Sequence, residues 1–190
     1  MKDIVIFASG SGSNAQAIIR HFYDSDLARV VLVLSNKPEA RVLKRATDLK
    51  VPAMSFNRYA FAKAGSTHHL LNTIKPDLVV LAGFLWKIPE YLIEEYPSKI
   101  INIHPALLPK YGGEGMYGMN VHNAVIANKE EQSGITVHYV NEAYDEGAII
   151  AQFPCSLDVG DTAVDLAGKI HELEQQHFPR VIERLLRDGK

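Results

Sequence analysis

Apolar residues in the first hundred positions form short continuous runs, and stretches of helical periodicity separate them. Such runs are typical of strands that are buried on both faces of a parallel sheet. The predicted strands are 3–9, 29–35, 51–56, 77–83 and 99–104. The predicted helices are 15–23, 39–49, 60–74 and 89–96. Strict alternation of the two predicts an α/β fold with a doubly wound, mostly parallel, Rossmann-like sheet.

The pattern changes after Pro105, where a long glycine-containing loop runs from residue 108 to 119. A helix is predicted at 120–128, and two strands at 134–140 and 148–153 have the spacing of an antiparallel extension of the sheet. A long C-terminal helix follows from a Thr162–Asp165 capping box, with a kink expected inside it at a proline. No linker or repeat interrupts residues 1–190, so we expect one domain.

The strand before Pro105 carries the first candidate chemistry. Side chains alternate along a strand, so Ile101 and Ile103 share one face while Asn102 and His104 share the other. Active sites of α/β folds lie at such strand ends, and an amide beside an imidazole suits stabilisation of an oxyanion. The alternative is a buried polar pair without a catalytic role.

The loop Ser-Gly-Ser-Gly-Ser-Asn at 9–14 joins the first strand to the first helix. Glycines permit a close backbone approach, and free N–H groups at a helix start bind phosphate. The spacing fits neither a dinucleotide fingerprint nor a P-loop, which favours a single phosphomonoester. Alternatively, this is an ordinary turn in which Ser13 or Asn14 caps the helix.

Two carboxylates are further candidates. Asp145 lies in a connection between strands, where it is either a turn residue or a partner that raises the pKa of His104. Glu174 falls on the apolar stripe of the last helix, between Ile170 and Phe178. It either binds a polar ligand group at the edge of a site, or Pro179 turns it towards water.

The segment 84–88, Phe-Leu-Trp-Lys-Ile, ends a buried strand. It could form a flat apolar wall for a heteroaromatic ligand, or simply pack in the core. The remaining histidines are weaker candidates. His68 and His69 are expected to be solvated helix residues, and His138 an inward-facing strand residue.

Composition excludes several classes of function. Net charge is −2 among 190 residues, which gives no basic surplus for a nucleic-acid partner. One cysteine fits a reducing compartment, no apolar run approaches membrane-spanning length, and no signal pattern precedes the first strand. We therefore expect a cytoplasmic protein, and no His, Cys, Asp and Glu spacing indicates a metal.

Taken together, these segments resemble the phosphoribosylglycinamide formyltransferase family. The matching motifs run in order through nearly the whole chain. They lie at 9–14, 35–37, 81–84, 101–109, 134–140 and 145–147. The resemblance implies transfer of the formyl group of 10-formyltetrahydrofolate to the amine of glycinamide ribonucleotide in purine biosynthesis. No metal is implied, and the protein would be a monomer or a weak homodimer.

The resemblance also implies residue roles. Asn102, His104 and Asp145 match the catalytic trio. Gly12, Ser13, Asn14 and Glu174 match ribonucleotide-binding residues, and Leu85, Lys87, Ile88, Asn141 and Tyr144 match the folate pocket. Residues 1–100 would supply the phosphate and ribonucleotide half, and residues 101–190 the catalytic and folate half.

The chain departs from the family pattern at Trp86, where many members have Arg, and at Gln175, where many have His. Its loop 111–118 contains four glycines, which predicts a mobile flap that closes over the ligands. Two other functions remain open: formyl transfer to an amino sugar nucleotide, and a folate- or phosphate-binding module without catalysis.

Overall fold

The computed structural model describes residues 1–189 of the chain, which form one seven-stranded sheet covered by helices on both faces. The strands are β1 (Lys2–Phe7), β2 (Ala28–Ser35), β3 (Ala53–Ser55), β4 (Leu78–Leu81), β5 (Ile100–His104), β6 (Gln132–Tyr139) and β7 (Ile149–Ser156). The helices are α1 (Ser13–His21), α2 (Arg41–Asp48), α3 (Ser66–Ile74), α4 (Glu90–Glu95), α5 (Met119–Ala127) and α6 (Ala163–Asp188).

The strand order is β3-β2-β1-β4-β5-β6-β7. Strands β1 to β5 pair in parallel, and β6 and β7 extend the sheet with antiparallel pairing. This confirms the predicted mostly parallel sheet with an antiparallel extension. The order reverses between β1 and β4, and the carboxyl ends of strands at such a switch point are where α/β sheets bind ligands.

Alternation along β1 separates two cores. Ile4 and Ile6 pack in the first core, with residues of α1, α2, α5 and α6, whereas Val5 and Phe7 pack in the second core, with residues of α3 and α4. The two faces of one strand therefore serve different layers, as period-two alternation requires. The two walls of the cleft lie on these two different cores.

The long C-terminal helix is confirmed. The Thr162 hydroxyl accepts from the backbone N–H of Asp165, whose carboxylate accepts from the Thr162 N–H, so the capping box is complete. Pro179 lies inside this 26-residue helix and is buried.

Two expectations are wrong around residue 65. Residues 60–65 are not helical: Ala64 has φ 61° and Gly65 is extended, so α3 begins only at Ser66. A Cβ on Gly65 would lie 2.4 Å from the carbonyl oxygen of Ala60, which explains why glycine is needed at this tight turn. His68 is not solvated. It is only 8% exposed, and its two ring nitrogens bond the Ala64 N–H and the Glu95 carboxylate.

Candidate active site

A cleft of about 770 Å³ opens at the carboxyl ends of β1, β4 and β5. Its lining comes from five segments and two helices. The segments are 9–14, 81–88, 102–105, 113–118 and 138–145, and the helices are α5 and α6. All predicted site residues are among the lining residues, so the fold brings together positions that are spread over more than 160 residues of sequence.

Asn102, His104 and Asp145 meet at the centre of the cleft. Nδ1 of His104 lies 3.4 Å from Oδ2 of Asp145, and the Asn102 amide nitrogen lies 3.5 Å from Oδ1 of the same carboxylate. His104 is 3% exposed at the end of β5, whereas Asp145 sits in the β6–β7 connection with φ 57°. The connection therefore delivers the carboxylate to both polar side chains of β5.

Burial and charge act in opposite directions on this trio. Burial lowers the pKa of His104 below its ordinary value and is the largest influence, although the charge of Asp145 and the Tyr111 carbonyl raise it. Burial would raise the pKa of Asp145, but the neighbouring rings of His138 and His104 outweigh it, so the pKa is lowered. Asp145 is thus a carboxylate at neutral pH, and its partner imidazole can take up a proton.

His138 is a member of this cluster that the sequence analysis assigned only to an inward-facing position. It pairs with Asn102 across the antiparallel β5–β6 ladder. Its Nδ1 lies 2.8 Å from the Tyr139 carbonyl oxygen, so that nitrogen carries the proton in the neutral ring and Nε2 can accept from the Asn102 amide at 3.1 Å. His138 therefore fixes the orientation of the amide.

The loop 111–118 contacts the trio through its backbone. Nε2 of His104 lies 2.7 Å from the carbonyl oxygen of Tyr111, and the N–H of Gly113 donates to Oδ2 of Asp145 at 3.0 Å. The side chains of Tyr111 and Met116 pack against the first core. One carbonyl and one N–H group of the loop thus engage both His104 and Asp145.

The glycine loop turns directly into α1. Gly12 has φ 79°, and a Cβ there would lie 2.5 Å from the side chain of Val42, so only glycine fits this approach to α2. No side chain caps α1, which excludes the alternative in which Ser13 or Asn14 is simply the helix cap. The first N–H groups of α1 and the Ser13 side chain therefore face the cleft, as phosphate binding requires.

Glu174 points into the cleft rather than to water. Its carboxylate accepts from the Asn14 amide nitrogen at 2.9 Å, and Gln175 donates to the Asn14 amide oxygen at 2.9 Å. Burial raises the pKa of Glu174 to about 7, and the hydrogen bond from Asn14 only partly opposes this. A buried carboxylate with free acceptor capacity suits a polar ligand group, and Gln175 holds Asn14 in the orientation that serves it.

The opposite wall is apolar and lies on the second core. Ile88 is 4% exposed, and the rings of Phe84 and Trp86 belong to an aromatic cluster behind the wall. Leu85 is 40% exposed, and its backbone N–H donates to Ser9 Oγ. The segment 84–88 therefore both packs in the core and faces the cleft, so the two interpretations of it are compatible.

Three further side chains complete the apolar wall. The Lys87 ammonium lies 5.8 Å from the centre of the Tyr144 ring, and the Asn141 side chain accepts from the backbone N–H of Ala143. The Arg58 guanidinium lies 4.5 Å from the Trp86 ring centre. This wall thus presents exposed rings and cations instead of buried carboxylates.

Within residues 1–189, no group of three or more His, Cys, Asp or Glu side chains could hold a metal ion. In the same part of the chain, no helix has the length and apolar character needed to cross a membrane.

Comparisons with known proteins agree on one family. The profile described as formyl transferase matches residues 2–182. Phosphoribosylglycinamide formyltransferase of Bacillus subtilis (strain 168) is 37% identical, over 98% of this chain and 95% of that protein. The crystal structure of glycinamide ribonucleotide transformylase 1 from Symbiobacterium toebii superimposes with a TM-score of 0.89 at 30% identity, covering 99% of this chain and 89% of the other. The corresponding enzyme of Geobacillus kaustophilus gives 0.87 at 36% identity, covering 98% and 99%.

Proposed function

The chain belongs to the formyl transferase family, and we propose that its cleft transfers the formyl group of 10-formyltetrahydrofolate to the amine of glycinamide ribonucleotide in purine biosynthesis. The names of its relatives support this acceptor. The observation that carries the proposal is the contact of His104 with Asp145 beside Asn102, between a phosphate-type loop and an apolar wall.

The two substrates enter from opposite walls. The phosphate of the ribonucleotide binds Gly12, Ser13 and Asn14 at the start of α1, where N–H groups and the helix dipole favour an anion. Glu174 accepts from a ribose hydroxyl, since it is a buried carboxylate within reach of the same loop. The pterin ring packs against the apolar wall formed by Leu85, Lys87 and Ile88 together with Asn141 and Tyr144.

The amine attacks the formyl carbon directly, and much of the acceleration comes from holding both substrates in one cleft. The Asn102 amide and the His104 ring stabilise the negative charge that develops on the formyl oxygen. One such donor typically contributes roughly 100- to 1000-fold to turnover. His138 acts through Asn102, as a positioning residue that accepts from one N–H of the amide and thereby sets the direction of the other.

Asp145 keeps His104 oriented and stabilises its charged form as the tetrahedral intermediate appears. It also receives the proton that the attacking amine loses, directly or through water, and that proton passes to N10 of the folate as the bond between N10 and the formyl carbon breaks and tetrahydrofolate leaves. No covalent intermediate with the protein is required, so the reaction needs no cysteine or serine nucleophile.

The proposal also covers the compartment, the oligomeric state and the partners of the protein. We place the protein in the cytoplasm as a monomer or weak homodimer, acting on two small molecules without a nucleic-acid or membrane partner and without a metal. One cysteine and a net charge of −2 support the reducing compartment and the absence of a basic surface. Sedimentation at several concentrations tests the oligomeric state.

The test of function is formyl transfer to each of two acceptors. We expect turnover with glycinamide ribonucleotide, followed by the absorbance of the deformylated folate, and none with an amino sugar nucleotide. Preference for the amino sugar would establish the alternative acceptor. Binding of both ligands without transfer would indicate a module that has lost catalysis.

A further inference from the structure

The structure places an unassigned histidine, His122, in the wall of the cleft. Four histidines are buried in the described residues, namely 68, 104, 122 and 138. In three of them both ring nitrogens lie near a polar partner, for example the Ala64 N–H and Glu95 for His68. His122 is 5% exposed, and its Nδ1 has no hydrogen-bond partner within residues 1–189.

An unpaired buried nitrogen costs free energy, and most buried polar atoms in proteins are paired. The other such atom in residues 1–189, the hydroxyl oxygen of Ser133, belongs to a residue outside the cleft lining. His122 does line the cleft. A ligand is therefore the natural source of the missing partner for His122.

The position of α5 indicates which of the two ligands His122 contacts. Val121 and Val125, on either side of His122 in sequence, pack in the first core, and α5 packs against α6, which carries Glu174. His122 thus lies on the ribonucleotide wall, not on the wall formed by 84–88. Burial, with a smaller contribution from the neighbouring His104, lowers the pKa of His122, which keeps this ring neutral and able both to donate and to accept.

We propose that His122 binds the amide of the acceptor's glycinamide group, between the ribose and the attacking amine. This inference rests on the proposed function. The phosphate belongs at α1, the ribose at Glu174 and the amine at His104, so the stretch that remains for His122 contains one amide N–H and one carbonyl. Both groups are neutral and complement a neutral imidazole.

His122→Leu and His68→Leu make a matched pair for testing the role of His122. We expect His122→Leu to be at least as stable to urea as the parent, because it removes an unpaired buried nitrogen, yet to raise KM for the ribonucleotide at least tenfold. His68→Leu should lose stability and keep that KM. His122→Asn, which retains a polar group near the Nδ1 position, should recover part of the affinity. Folate affinity, followed by the fluorescence of the single tryptophan, Trp86, should not change in any of them.

A second measurement does not depend on a variant that folds. In long-range ¹H–¹⁵N spectra of the parent protein, the Nδ1 resonance of His122 should shift when glycinamide ribonucleotide alone is added. An active parent whose His122→Leu variant keeps its KM, or whose Nδ1 resonance stays unchanged, overturns the inference and leaves the function standing. A parent that does not formylate the ribonucleotide overturns the proposed function itself.

Discussion

The two walls of the cleft differ in chemistry, and under the proposed function they recognise their ligands by opposite means. The ribonucleotide wall, on the first core, holds buried polar groups: Glu174 with a raised pKa, the amide of Asn14, and His122 with an unpaired nitrogen. The folate wall, on the second core, offers exposed Leu85 and Tyr144 in front of an aromatic cluster. Without its ligand, the ribonucleotide wall lowers the stability of the fold, whereas the folate wall does not.

The difference follows from what each ligand offers. A ribonucleotide carries charge and hydroxyls, so its wall must provide fixed polar partners that water would otherwise satisfy. A pterin is a flat ring, and apolar contact with backbone hydrogen bonds is sufficient to hold it. His104 and Asp145 lie between the walls, and we call them the seam. Variants of the seam should change turnover, variants of the ribonucleotide wall should change acceptor affinity or stability, and variants of the folate wall should change folate affinity.

The largest effect is expected at the seam between the walls. His104→Ala and Asp145→Asn should each lower turnover at saturating substrate by roughly 100-fold or more, because each weakens stabilisation of the oxyanion. Neither variant should favour one ligand over the other in binding. Steady-state kinetics with a circular dichroism check of folding measures this, and near-normal turnover of a folded His104→Ala protein would refute the catalytic assignment.

On the ribonucleotide wall, Ser13→Ala combined with Asn14→Ala should raise KM for the ribonucleotide. Hydrogen bonds to charged groups contribute about 1.5–3 kcal/mol each, so the rise should be roughly 10- to 100-fold. Folate KM in the same assay is the internal control. If KM for the ribonucleotide does not change, residues 9–14 are an ordinary turn.

Glu174 should connect recognition to stability. Its pKa is about 7 in the fold and near 4.5 in the unfolded chain, so the folded state binds more protons and its stability falls as pH rises from 4.5 to 7. Glu174→Gln removes this penalty, and its advantage over the parent should grow across that window and then level off. The shift is about 2.5 pKa units and each unit corresponds to about 1.4 kcal/mol, so we expect a gain on the order of 3 kcal/mol at pH 8.

Urea unfolding at pH 5 and pH 8 measures the gain from Glu174→Gln. Glu172→Gln, at an exposed position on the same helix, is the matched control and should leave stability nearly unchanged. Equal stability of the Glu174→Gln variant and the parent at pH 8 would mean that Glu174 carries no burial penalty.

On the folate wall, Lys87→Ala should raise folate KM only about two- to fivefold, since a cation over an exposed ring contributes roughly 0.5–1 kcal/mol. Stability and ribonucleotide KM should stay the same. Tyr144→Ala should give a similar change, and the double variant tests whether the pair acts as a unit. A tenfold or larger change in ribonucleotide KM would contradict the separation of the walls.

The sequence predicts the order of elements and which side chains of β5 share a face, because period-two alternation alone places Asn102 and His104 together. It does not predict the role of His138, since this depends on the β5–β6 register, in which Asn102 lies opposite His138. Nor does it reveal His122, whose position depends on how α5 docks against α6. Hydrophobic periodicity predicts a helix over residues 60–65, but the turn at Gly65 delays the start of α3 to Ser66.

The domain division at residue 100 is likewise a statement about sequence, whereas the walls follow the faces of the sheet. Glu174 belongs to the second half of the chain but lies on the ribonucleotide wall beside Asn14. Leu85 belongs to the first half but lies on the folate wall. Helices α1, α2, α5 and α6 pack on the first core and α3 and α4 on the second, so the first core draws on both halves of the chain.

The smallest expected effect concerns the loop 111–118, whose residues 113–118 line the cleft beside His104 and Asp145. Its backbone engages His104 and Asp145, the groups that the substrates must reach, through the Tyr111 carbonyl and the Gly113 N–H. Gly113, Gly115 and Gly118 all have positive φ, so ordering the loop costs backbone entropy that glycine makes especially large. Such a loop is held weakly until ligands add contacts, and it can then exclude water, which competes with the amine for the formyl group. We therefore expect fast amide exchange of residues 113–118 without ligands and slower exchange with both, while the buried strand 135–138 stays protected throughout. Strong and equal protection of the loop in both states would show a rigid structural element and would exclude the flap.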